Sequence, residues 1–125
     1  MAVRSIAFTA YPAENVQKLL VFYRDALGLR VDRAHPDEVN AQFVEFDAGE
    51  GHWFSVVPDS FAGRPVGSGS GVVFEVDDID AALEAVREQA KRADEKVTDY
   101  PTCRIASFED PEGNKVGLHQ TTGAR

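Results

Sequence analysis

Apolar and polar positions alternate near the start of the chain. Across residues 3–10, Ile6 and Phe8 fall on one side and Ala7 and Thr9 on the other, which predicts a strand closed by Pro12. The period then lengthens. Val16, Leu19, Leu20, Tyr23 and Leu27 form the stripe of a helix over about 14–27, with Gly28 as its C′ residue. Three strands are expected at about 29–34, 40–47 and 52–57, with the turn Asp47-Ala-Gly-Glu-Gly between the last two. Residues 58–70 are rich in Gly, Ser and Pro and read as an exposed, mobile connector.

The pattern then restarts. Val72, Phe74 and Val76 share one face of a strand over 71–76, and Asp78 is placed to cap a helix from Ile79 to about Ala93. Short strands follow at 96–99 and 103–109, the Asp110–Asn114 turn leads into a strand at 115–120, and residues 121–125 read as a frayed tail. The helix stripe and the Asp-x-x-x-x turn both recur about 63 residues apart, the mark of one supersecondary unit present twice. Each half reads strand, helix, strand, strand, strand. That is an α+β class, with helices on one face of a mostly antiparallel sheet and the other face free to curl around a ligand.

Two stretches resemble a known family: Phe22-Tyr23-Arg-Asp-Ala-Leu-Gly-Leu at the end of the first helix, and Phe108-Glu-Asp-Pro-Glu-Gly-Asn-Lys-Val-Gly-Leu near the end of the chain. Both are similar to the vicinal oxygen chelate superfamily, which includes glyoxalase I, extradiol dioxygenases, and bleomycin- and fosfomycin-resistance proteins. The resemblance implies a single domain over 1–125, built from two βαβββ modules at about 1–58 and 71–125 joined by the linker 59–70. It implies a curled mixed sheet with helices on the convex face. The Asp-Pro-Glu-Gly-Asn turn also has a local physical basis. Pro111 presets φ at its first corner, Gly113 and Asn114 tolerate positive φ, and Asp110 can cap nearby amides.

Metal-dependent members hold one divalent ion at four facing positions. By the resemblance these fall on Phe8, Gly71, Gly117 and either Phe54 or Ser55, depending on how the two turns are aligned. Such an ion needs imidazole, carboxylate or thiolate donors, so the expectation is no metal and no cofactor. His35, His52, His119 and Cys103 show no His-x-x-x-His or Cys-x-x-Cys spacing that would build another site.

If Gly117 faces the cavity, His119 does too, while Val116 and Leu118 pack beneath the helices. The expected ligand-binding set is Phe8, His52, Trp53, Phe54, Tyr100, Cys103 and His119, with Gly71 and Gly117 leaving room and Glu45 and Glu75 on the concave side or at the rim. The function expected is metal-free binding of an apolar or aromatic small molecule. The alternative is an enzyme of the same superfamily, a lyase or dioxygenase with divergent ligands or a metal-independent catalyst using Cys103 and His119.

Charge narrows the partners. The formal net charge is -8, with 21 acidic against 13 basic residues, which argues against nucleic acid or an anionic membrane surface. Cys103 is the only cysteine, and no apolar segment reads as a secretory signal or membrane span, so a cytoplasmic protein is expected. The resemblance adds the expectation of a homodimer, and leaves open whether the pocket is shared between subunits.

Overall fold

A computed structural model describes residues 1–123. The first module contains strands β1 (Thr9–Ala13), β2 (Arg30–His35), β3 (Phe43–Asp47) and β4 (Trp53–Pro58), in the order β1-β4-β3-β2. Its helix α1 (Val16–Val21) continues as a π-helical turn over Phe22–Ala26. The second module contains β5 (Val72–Glu75), β6 (Arg92–Ala93), β7 (Thr98–Asp99), β8 (Cys103–Glu109) and β9 (Lys115–Thr121), in the order β5-β9-β8-β6 with β7 also on β8. Its helix is α3 (Ile79–Arg87), and a short helix α2 (Asp59–Ala62) lies between the modules. The first strand of each module pairs in parallel with the last, and the remaining pairs are antiparallel. The result is an α+β fold with two βαβββ modules, each with its own mixed sheet.

Alternation sorts each sheet into two faces. One carries Tyr11, Val44, Phe46, Phe54 and Val56 in the first module and Phe74, Ala106, Phe108, Val116 and Leu118 in the second, all buried. These side chains join Leu19, Leu20, Phe22, Tyr23, Ile79, Leu83 and Val86 of the helices in one shared core. Phe54 is its crossing point, edge-on to Tyr11, Tyr23 and Phe74 at centroid distances of 5.1, 5.0 and 5.4 Å. The helices therefore cover one face of each sheet, and the modules are joined by packing rather than by an enclosed space.

The two resemblance motifs meet in this core. Tyr23 donates its hydroxyl to Asp110 Oδ2 at 2.7 Å, although 87 residues separate them. Asp110, fully buried, also accepts from Asn114 Nδ2, Asn114 N and Glu112 N. Asn114 reaches on to the Pro12 carbonyl and accepts from Gly69 N, while Glu112 takes the amides of Glu14 and Asn15 ahead of α1. Gly69 must be glycine, since a Cβ there would stand 2.6 Å from Asn114 Oδ1 and 2.7 Å from Tyr11 Cγ. The turn thus clamps the second module onto the first.

Several boundaries differ from the sequence pattern, each for a local reason. The first strand was expected over 3–10 but spans Thr9–Ala13, with Pro12 inside it. Residue n of β1 faces residue n + 45 of β4, and the Gly49–Gly51 turn, with three successive positive φ values, delays β4 until Trp53. Residues 1–7 therefore have no β4 residue to face, and Pro12 is tolerated because β1 is an edge strand. The π-helical turn lets the adjacent Phe22 and Tyr23 both face inward. The second helix ends at Arg87, not near Ala93, because Arg92 and Ala93 pair with Glu109 and Phe108 of β8. The connector contains α2, closed by Gly63 in the left-handed conformation. The expected tail is partly strand: β9 runs through Thr121, and the amides of Thr122 and Gly123 donate to the Thr102 carbonyl. Ala124 and Arg125 lie outside the described residues.

Candidate functional site

The faces turned away from the core carry the candidate chemistry. On the first sheet, strand register aligns Ala10, Ser55 and Glu45 in one row and Trp53 with Asp47 in the next. Phe54 points the other way and is only 2% exposed. The position turned away from the core is therefore Ser55, which is itself fully buried and whose hydroxyl has no hydrogen-bond partner among the described residues. Phe54 cannot serve as an open-face contact, and it reaches the site only as part of an aromatic floor.

On the second sheet, the open face carries Val73 beside Gly117 and Glu75 beside His119, with Ile105 across from His119 and Cys103 across from Thr121. Gly117 and His119 alternate with the buried Val116 and Leu118, as their spacing predicts. Gly117 does not open a space, however. A Cβ added there would stand 2.9 Å from Val73 Cγ2, so the Val73 side chain already fills that corner. His119 is held by Glu75, not by Cys103: its Nδ1 lies 2.6 Å from Glu75 Oε1, while Glu75 Oε2 accepts from the Thr121 amide at 2.8 Å. The Thr121 amide and the His119 ring hold the Glu75 carboxyl below the usual carboxylate range, so it stays ionised.

A cleft of about 770 Å³ runs between the modules. From the first module it takes Ile6, Thr9, Leu27–Leu29 and the Ala48–Phe54 stretch, and from the second Gly71–Val76. Trp53, Phe54 and Phe74 give it an aromatic floor, and Glu75 stands in its wall with its carboxylate turned to His119. Of the residues singled out by sequence, His52, Trp53 and Phe54 meet in this cleft. Cys103 and His119 share the open face of the second sheet, and Tyr100, 54% exposed, follows β7. Phe8 lies outside the strands and is 46% exposed, with Ile6 lining the cleft in its place. Glu75 is the residue that the sequence left between the concave side and the rim. Its signal was parity: it is four residues after Gly71 and His119 is two after Gly117, which puts both on the open face, and the register of β5 on β9 makes them neighbours.

The four metal-equivalent positions are Phe8, Ser55, Gly71 and Gly117, which together offer one hydroxyl. That donor set does not fit a divalent ion. Among the described residues, no three His, Cys, Asp or Glu side chains converge as a metal-binding group.

A model of the Glyoxalase/Bleomycin resistance protein/Dioxygenase superfamily matches residues 5–118. The chain belongs to this superfamily. Within it, the chain is similar to TnmS3, an antibiotic binding protein from Streptomyces sp. CB03234, at 27% identity, covering 97% of this chain and 98% of that one with a TM-score of 0.78. A glyoxalase/bleomycin resistance protein from the same Streptomyces is 28% identical over 93% of this chain and 100% of its own, with a TM-score of 0.75. The superfamily fold is shared by a lactoylglutathione lyase from Agrobacterium tumefaciens, 21% identical over 95% of each chain, with a TM-score of 0.71. No curated protein sequence matches the chain. No helix among the described residues is long and apolar enough to cross a membrane.

Proposed function

We propose that this superfamily member binds a flat, apolar or aromatic small molecule in the inter-module cleft, without a metal ion. The observation that carries this is the cleft itself, floored by Trp53, Phe54 and Phe74, with Gly71, which has no side chain to hold a metal, in its wall. Aromatic walls reward a planar ligand through stacking and apolar burial, and a few polar groups at the margin fix its orientation. Similarity to an antibiotic binding protein at 27% identity supports ligand binding over the whole length of the chain.

Binding by a homodimer is part of the proposal, with a second copy closing the open side of the cleft where Val73 and Ile105 stand exposed. A cytoplasmic location fits Cys103, which is a free thiol. Two measurements test these points. Elemental analysis of protein purified without chelator should find no divalent ion in stoichiometric amount, and one ion per chain would overturn metal-free binding. Light scattering in solution should give twice the chain mass, and a monomer at micromolar concentration would remove the shared pocket.

A further inference from the structure

The Glu75–His119 pair goes beyond shape and apolarity, and it deepens the proposed binding function by specifying what the ligand carries. A carboxylate only accepts, so the imidazole donates from Nδ1, and in its neutral form it presents Nε2 as an acceptor. The His119 side chain is 15% exposed, and Nε2 has no partner among the described residues. Apolar side chains frame the ring: Ile105 stands directly across from it and Val73 one pair along. Glu75 lines the cleft, and His119, bonded to its carboxylate, stands just beyond the cleft's edge.

From this geometry we infer that the Glu75–His119 pair selects aromatic ligands carrying an acidic hydroxyl, with His119 Nε2 accepting the hydroxyl proton and Glu75 positioning the ring. In the step, the ligand O–H bond breaks, its electron pair stays on oxygen, and the proton moves to Nε2. The imidazolium formed is stabilised by the Glu75 carboxylate at Nδ1 and by the phenolate at Nε2, and release of the ligand returns the proton. The Thr121 amide on Glu75 Oε2 keeps the carboxylate aimed at the ring.

Other titratable groups do not take this role. On the same face, Cys103 lies diagonal to His119 on β8, and Lys115 is four residues back along β9, facing Glu109. Arg104 is on the opposite face, engaged by Asp80 of α3 and by Asp99 of β7. Glu75 is therefore the charge in contact with the imidazole.

The test uses 4-nitro-1-naphthol, a flat phenol whose ionisation changes its visible absorbance, and its methyl ether, which has no proton to give. Both quench tryptophan fluorescence on contact, and Trp53 is the single tryptophan. At a pH below the free phenol's own ionisation, the full-length protein should bind the phenol at least about tenfold tighter than the ether and should show the anion absorbance in the complex. His119→Ala should bring the affinity ratio towards one and abolish the anion band. Glu75→Gln keeps an acceptor for Nδ1 but removes the charge, so it should lose the anion band while retaining part of the phenol preference. A merely structural role for Glu75 would not separate these two readouts. An ether bound as tightly as the phenol by the wild type, or an anion band that survives His119→Ala, overturns the pair's role and leaves apolar binding standing. If neither probe quenches Trp53, both the pair's role and the aromatic cleft fall together.

Discussion

Removing one oxygen atom, in Tyr23→Phe, tests the coupling of the two modules. The Tyr23 hydroxyl donates to a fully buried carboxylate at 2.7 Å. Asp110 Oδ1 keeps its two amide donors from Glu112 and Asn114, but Oδ2 is left with Asn114 Nδ2 alone. A hydrogen bond to a charged group contributes about 1.5–3 kcal/mol, and the ring of phenylalanine keeps the packing against Phe46 and Phe54. The expected loss is therefore about 1.5–3 kcal/mol, or a urea midpoint lower by roughly 1 M at an unchanged slope. Urea unfolding followed by Trp53 fluorescence and far-ultraviolet circular dichroism measures it, with coincident transitions as the check on two-state behaviour. Tyr100→Phe is the control: Tyr100 is exposed, so its change should stay within about 0.5 kcal/mol. A Tyr23→Phe protein no less stable than the Tyr100→Phe control would refute the clamp.

Other perturbations probe neighbouring parts of the same design. Gly69→Ala forces a Cβ against Asn114 and Tyr11 and should destabilise by about 1–3 kcal/mol, read as a lowered thermal midpoint. Phe54→Ala removes the ring at which the modules cross and should cost about 3–5 kcal/mol in urea unfolding; an effect below about 1 kcal/mol would deny it a place in the core. Burial and the Asp110 carboxylate raise the Tyr23 hydroxyl well above its ordinary value of 10.0. The unfolded chain thus releases that proton first as pH rises, so stability is intact below about 10 and declines above it. Urea midpoints across that range should fall more steeply for the wild type than for Tyr23→Phe.

Much of the fold was legible because its signals are local. Asp78 caps the second helix, and Gly28 takes positive φ where the first helix stripe ends. The Asp110–Asn114 turn was legible as a turn, but its contact with Tyr23 was not, since no local pattern reports a partner 87 residues away. The first strand slipped because strand limits are set by the neighbouring strand, here by the start of β4 at Trp53. At the site, a one-residue ambiguity between Phe54 and Ser55 decided between core and open face, because a shift of one residue reverses every side chain of a strand. Gly117 was legible as an open-face residue, but the absence of its side chain did not reveal that Val73 leans into the vacated corner.

Metal-free binding in the cleft is tested most directly by titrating the protein with 1-methoxy-4-nitronaphthalene and following the quenching of Trp53, before and after exhaustive treatment with a chelator. The aromatic floor predicts saturable quenching at one site per chain, with the same affinity in both samples. Quenching that never saturates, or that disappears when divalent ions are removed, would contradict it.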